Sequence, residues 1–577
     1  MSAQLRNRIR DRVTPGRGAD SERGVILVWL ALMMTVLLGM GALGIDIAHL
    51  QQVKADAQKA ADAAALAGAV YLPENETTGA AQARAIAAKN GFTNVPVAQH
   101  DSSRPSQMNV KVSKTVDNFL AGVLGIDQST VTASASAEYL KPVAMGSPAN
   151  QYGNDPESSG APASQTYPNL WGNVASGNSP KANGDAYQAG LTSSACNADN
   201  CPGGVNKDYD GNGYYYTVHF NTSGTYNLQV FDPGFVEVGD NCPASSNGSN
   251  LSGAATLTTA GAVKGWPVGI AYNPAQRYAP VANAADPPDT AHPGTRYCNG
   301  DHYFGTTSQL PSTSWSVVGP AAIPGQTGGA PTACGTVTFP GVSGDLKAAL
   351  QSNTKVAVSP TPMFLGTYFR QWWTLCSITG SAGQDYFIQV KGDANGSGHN
   401  RFALRAQNAG TNVSISGNTK MGVYANAALN THAKFYLARI LPAAAGHNLN
   451  LSLFDIGDGG GSPTGTLTIQ PPTDSNVGSA FSGCKYTPPP GGSTPPYGTF
   501  VATSAGCAMT GVTTGTYGGQ WVQASIPIPA NYTCNYADPF GCWVKIDYLF
   551  TGGSGTSLQD TTSWTATLDG DPVRIVK

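Results

Sequence analysis

Residues Val25 to Ile45 read VILVWLALMMTVLLGMGALGI, 21 positions without a charge. A helix rises about 1.5 Å per residue and needs roughly 20 apolar residues to cross a bilayer, whereas a cleavable signal has an apolar run of about 7–15. The stretch therefore predicts an uncleaved transmembrane helix over 24–46. Before it stand six arginines, Arg6, Arg8, Arg10, Arg12, Arg17 and Arg23, against Asp11, Asp20 and Glu22. That excess predicts that 1–23 is a cytoplasmic basic tail. The chain is then a single-pass protein of the cell membrane with its C-terminal side extracytoplasmic.

The formal charge of -3 divides into +3 for residues 1–23 and -6 for the rest. No basic surface remains outside the anchor, which excludes nucleic acid as a partner. A chain of 577 residues exceeds one hydrophobic core, and 12% charged residues with 70 glycines suit turn-rich extracytoplasmic β-structure. All ten cysteines follow the anchor, on the oxidising side. Cys196–Cys201, Cys484–Cys507 and Cys534–Cys542 would close short loops. The other four pair most simply as Cys242–Cys298 and Cys334–Cys376, one of three connectivities four cysteines allow. No C-x-x-C pair points to zinc instead.

Beyond the membrane the helix is expected to run on to near Leu72, since residues 49–72 contain no proline and are rich in helix formers. Leu50, Val53, Ala57, Ala60, Ala64, Ala67 and Tyr71 draw a narrow stripe down one face. Two readings stand side by side: packing on the protein's own small domain, or against other helical subunits in an assembly. A helix capped by Thr78 and running through Lys89, alternating strands around Met108 and Val131, and a short helix from Asp117 to Leu124 complete a small α/β domain over 47–140. Residues 141–204, which open on a Gly/Pro/Ser-rich stretch from Pro142 to about Gln165, read as a linker.

The rest contains an internal repeat. Tyr215-Tyr216 leads to NLQVFDPG from Asn227, and Phe435-Tyr436 leads to NLSLFDIG from Asn450. Each copy reads as a hairpin ending in an Asp/Gly turn, and each closes with strand, glycine-serine loop, strand. Two antiparallel β-sandwiches of jelly-roll or Greek-key type are expected, over 205–410 and 411–577, which makes the chain α+β. TPPPGGSTPPYG, from Thr487 to Gly498, reads as an exposed loop fastened by Cys484 and Cys507.

Little in the sequence carries chemistry. Gly39, Gly41 and Gly44 match G-x-G-x-x-G but lie inside the span, where they serve close packing. Asp46 at the boundary is expected to snorkel into the headgroups in preference to relaying protons. Asp208, Asp210, Asn212 and Gly213 copy the first half of a calcium loop, yet the twelfth position is His219 where a bidentate glutamate is needed, so a polar turn is the better reading. The repeated Asp232 and Asp455 read as turn caps. No nucleophile elbow, H-E-x-x-H or phosphate loop occurs, so no enzyme activity, cofactor or metal is expected. His292, His302 and His399 are treated as structural, and Tyr214 to Tyr216 and Trp372-Trp373 as core residues in preference to a sugar platform.

The stretch Arg23 to Gly68 resembles the TadG-like (TadE/TadG-like) family of Flp pilus-assembly proteins. The resemblance lies in Arg23-Gly24, the apolar span, Ile45-Asp46 near its end, and QKAADAAALAGA from Gln58 to Ala69. FLAGVLGI from Phe119 to Ile126 and VTASASA from Val131 to Ala137 look like the family's small domain, so about 23–140 is similar. The resemblance implies an inner-membrane accessory of a pilus or related export machine, with a pilin-like small domain and pilus or Tad-system subunits as partners. Two features depart from the family pattern. The D-x-S-x-S of a von Willebrand A domain is missing, and the fifth residue after Gly24 is Trp29 where a prepilin has glutamate. The leading expectation is a structural or assembly protein, and the alternative is an adhesin-type module binding carbohydrate or another surface ligand through its sandwiches.

Overall fold

The structure is a computed structural model that describes residues 19–73, 75–101, 104–119, 121–153, 168–198, 201, 204, 206–232, 236–238, 255–256, 271–272, 301–303, 309–321, 327, 329–343, 355–356, 363–364, 372–430, 432–458, 462–487, 501–502, 506–553, 557–570 and 573–576. Ala19–Ala69 is one unbroken α-helix, α1. From Val25 to Ile47 its large apolar side chains are 42–70% exposed. Beyond Ile47 the same helix joins a core: Ala57, Ala60, Ala61, Ala64, Ala65 and Ala69 are fully buried.

These alanines face a second helix, α2 (Glu76–Lys89), and an antiparallel sheet in the order Asn94–Asp101, Arg104–Asp117, Gln128–Tyr139, Val573–Ile575. The N-cap of α2 is Asn75, not Thr78, because the Asn75 side-chain oxygen accepts the Thr78 amide at 3.1 Å. The helices touch backbone to backbone, since a Cβ on Gly68 would lie 2.9 Å from the Gly79 carbonyl oxygen. Alternating Met108, Val110 and Val112, with Val131, Ala133, Ala135 and Ala137, form the sheet's buried face. The fourth strand comes from far along the chain. Val573–Ile575 pairs with Gln128–Tyr139, and the Arg574 guanidinium donates to Glu138 Oε2 at 3.0 Å.

Between those two attachments the chain forms a sandwich of two large, mainly antiparallel sheets. Among the described residues one has ten strands and the other thirteen. The ten-stranded sheet runs Pro331–Phe339, Thr313–Val318, Asp385–Gly392, Tyr214–Phe220, Val413–Asn418, Ala144–Met145, Ala433–Arg439, Trp543–Thr551, Thr464–Gln470, Ala508–Val512. The central path of the other runs Trp372–Gly380, Gly224–Phe231, His399–Ala406, Pro168–Ala175, Lys420–Ala428, Ser557–Leu568, Asn448–Phe454, Trp521–Pro527. Both orders read alike from either edge. Tyr214–Phe220 corresponds to Ala433–Arg439, Gly224–Phe231 to Asn448–Phe454, and His399–Ala406 to Ser557–Leu568.

The two halves are thus related by a pseudo-twofold axis. It passes between Gly172 and Val423, which face each other where Pro168–Ala175 pairs with Lys420–Ala428. One apolar cluster runs through both halves, with Trp315 packed edge-on to Phe402 at 4.8 Å in the first and Phe435 against Tyr548 at 5.3 Å in the second. The repeated motif is not a hairpin. Its first strand lies in the ten-stranded sheet and its second in the thirteen-stranded one, so the chain arches across the core. Within 141–204, read above as a linker, Ala144–Met145, Gln151–Tyr152 and Pro168–Ala175 are strands of these sheets, two of them at the seam. The loop 488–498 lies outside the described residues, while its base is paired through Lys485–Tyr486 and Val501–Ala502.

The seam tolerates no added bulk: a Cβ on Gly422 would lie 2.2 Å from the Asn173 carbonyl oxygen across it. Gly422→Ala is expected to cost about 3 kcal/mol in denaturant unfolding, from overpacking. Gly515→Ala, where a Cβ would meet nothing within 4 Å, serves as the control. Equal unfolding midpoints for the two variants would contradict a close-packed seam.

Candidate functional site

At the outer end of the apolar stretch, Asp46 is only 4% exposed. Its carboxylate accepts the Phe119 amide at 2.9 Å and the Ala121 amide at 2.7 Å. The expected snorkelling is corrected here, because the carboxylate is engaged by the loop that joins Arg104–Asp117 to Gln128–Tyr139. That loop contains a short 3-10 turn, Ala121–Leu124, followed by Gly125 at φ +84°. The Phe119 ring stands edge-on to His49, one turn beyond Asp46, at 5.2 Å. The junction between helix and small domain is therefore built from charge-assisted bonds to backbone amides.

Of the two readings of the alanine stripe, the structure selects internal packing. Ala57, Ala60 and Ala64 are buried in the protein's own small domain, with Leu50, Val53 and Tyr71 half-buried beside them. Small side chains admit close approach here too, but the partner is the sheet beneath.

Asp208 and Asp210 do not converge on a shared point. Asp208 Oδ2 accepts the Lys181 ammonium at 2.7 Å and the Trp521 indole N–H at 2.9 Å. Lys181 is fully buried and sits 5.2 Å from the Phe454 ring centroid. Asp210 pairs with Lys420 and accepts the Asn212 amide at 2.9 Å. Partial burial acts to raise the Asp210 carboxyl, but the bonds from Lys420 and Asn212 outweigh it and leave the group below its ordinary value. A calcium loop would turn these oxygens inward to a common centre, whereas here each carboxylate meets its own lysine. Among the described residues no group of three His, Cys, Asp or Glu is placed to hold a metal ion.

These pairs belong to a plug formed by the described residues between Ser176 and Gly213, which bonds to Asp393 and Gly398 in the first half of the sandwich and to Trp521 and Ser563 in the second. Buried Asp185 organises it, accepting the Tyr214 hydroxyl at 2.6 Å and the amides of Ala175, Tyr187 and Gln188. Burial raises the Asp185 carboxyl above its ordinary value against those four bonds. Sequence inspection missed Lys181 and Asp185, because a lone lysine in a polar stretch gives no sign of being buried.

The sulfurs of Cys196 and Cys201, Cys334 and Cys376, Cys484 and Cys507, and Cys534 and Cys542 are bonded. Cys242, Cys298 and His292 lie outside the described residues. His302 and His399 are cross-strand partners, and His399 is buried against Asn173. Tyr214 and Tyr216 are buried, while Trp372 is half-buried under the Arg405 guanidinium at 4.0 Å. Asp232 and Asp455 each bond to a segment beside their own strand, and the turn after Asp455 sends an amide to another carboxylate. Asp232 accepts the Asn400 side-chain amide at 2.9 Å, Asp455 accepts the Gly519 amide, and the Gly457 amide goes to Asp560.

A long apolar helix that carries a small α/β domain and a disulfide-braced sandwich defines a helix-borne head. One helix among the described residues is long and apolar enough to cross a membrane, beginning at Gly24. Residues 24–70 match the family model described as putative Flp pilus-assembly TadE/G-like, so the N-terminal region is of the TadE/G-like kind. No curated protein matches the chain. Among solved structures, the chain is similar to the N-terminal CBM22-1-CBM22-2 tandem domain of Xyn10C from Paenibacillus barcinonensis. That likeness covers 45% of this chain and 83% of the other at 9% identity and a TM-score of 0.14.

If the alanine face is internal packing, Ala60→Leu with Ala64→Leu should destabilise the small domain by about 3 kcal/mol or more, the cost of overpacking. Hydrogen exchange of the full-length protein should then rise across 57–139. Unchanged protection there, with assembly alone impaired, would return the stripe to a contact between subunits.

Proposed function

We propose that the protein is a membrane-anchored, extracytoplasmic structural accessory of Flp pilus assembly or a related secretion machine. The observation that carries the reading is the match of 24–70 to the TadE/G-like model, on a helix that is apolar and exposed up to Ile47 and embedded in its own domain beyond it. On this reading α1 crosses the bilayer once. The six arginines before Gly24 remain in the cytoplasm and the head lies outside. The head contacts pilus or Tad-system subunits and performs no catalytic step. Its disulfides fit an oxidising, extracytoplasmic site.

Two measurements test the proposal. A reporter active only in the cytoplasm, fused after Lys577, should be silent, and strong activity would reverse the topology. Deleting the gene in the source strain should abolish surface pili, and normal piliation in the deletion strain would remove the assembly role. The adhesin alternative predicts normal piliation together with specific signals when the head is applied to a glycan array.

A further inference from the structure

We propose that the loop from Asn118 to Asp127 is a second membrane contact, which lays Phe119 and Ile126 into the extracytoplasmic interface of the bilayer that α1 crosses. The proposal rests on the anchor reading above and adds to it a surface of the small domain. Phe119 to Ile126 reads FLAGVLGI, eight consecutive residues without a polar side chain, in a loop where exposed polar residues are the rule. Phe119 is 66% exposed and Ile126 is 55% exposed. Two exposed apolar side chains on one short loop mark an interaction surface more often than a single one does.

The loop's position selects the occupant. Asp46 holds the loop backbone at the outer end of the apolar span, and Phe119 packs on His49 just beyond. Ile45 and Ile47 are 58% and 56% exposed at the same level of the helix, so the loop continues the apolar surface of the span sideways. An aromatic ring at that level matches the interfacial belt of membrane proteins. Several of the loop's backbone groups are also provided for. The Asn118 amide donates to the Asp127 carbonyl at 2.9 Å, the Asn118 side chain to the Ile126 carbonyl at 2.8 Å, and the Ile126 amide to the Ala121 carbonyl at 3.1 Å. Bonds satisfied within the loop lower the cost of leaving water. Asp117 and Asp127 are exposed at its base, where their charges stay in water and limit how deeply the loop enters.

The test places single cysteines in the full-length protein at Phe119, Ile126, Leu37 and Leu191. Each is labelled with an environment-sensitive fluorophore under non-reducing conditions, and the protein is reconstituted in phosphatidylcholine/phosphatidylglycerol vesicles. Nitroxide lipids carrying the spin near the headgroup or near the chain end report depth. Labels at 119 and 126 should be quenched at least about twofold more by the shallow nitroxide than by the deep one, as for groups at the headgroup boundary. The Leu37 label should respond most to the deep nitroxide, and the Leu191 label, on the head, to neither. If 119 and 126 behave like 191 while 37 is quenched, the loop proposal fails and the anchor stands. A blue-shifted but unquenched label at 119 would mean that protein covers the loop, and also overturns it. An unquenched label at 37 overturns the anchor reading and the loop contact together.

Discussion

The packing of α1's alanine face on the small sheet is the constraint from which the rest of the molecule follows. Alanine gives up little side-chain entropy and lets a sheet approach the helix axis closely. Gly68 against Gly79 brings α2 in equally close. Because α1 is unbroken from Ala19 to Ala69, whatever holds its outer half also holds its apolar half. Asp46 fixes the junction by binding two backbone amides, so the small domain sits directly at the end of the apolar stretch.

The sandwich is tied to this base twice. The chain enters it after Tyr139 and returns through Val573–Ile575, which completes the small domain's sheet. Two covalent attachments through adjacent strands restrict rotation in a way that one flexible linker does not. Inside the sandwich the pseudo-twofold axis lets two copies of one motif share continuous sheets, so neither half presents an unpaired edge at the seam. Val413–Asn418 of the second copy pairs with Tyr214–Phe220 of the first, and Ala144–Met145 reaches Ala433–Arg439 of the second.

The apolar helix was legible in the sequence, because a charge-free run of that length has few other solutions, and so was the β-rich nature of the remainder. Strand periodicity, however, reports which face of a strand is buried and not which sheet receives it. The motif ending in Phe231 and Phe454 therefore looked like a hairpin, although its two strands sit in opposite sheets. Pro168–Ala175 was hidden for a related reason: the Gly, Pro and Ser around it read as linker, while Trp171 and Val174 are buried in a strand that pairs with residues more than 200 positions away. At the candidate site, Asp46 stood out by its position but not by its role, since its partners at Phe119 and Ala121 are backbone amides. The alanine stripe was equally compatible with two partners until the sheet was seen beneath it.

On this account the head works only when it is held at the membrane by α1. The most direct test complements a deletion strain with the full chain or with residues 47–577 exported behind a cleavable signal, at matched extracytoplasmic levels and with intact disulfides. Surface pili are then counted by electron microscopy. The account predicts that the anchored chain restores piliation and the released head does not. Full restoration by the released head would contradict it.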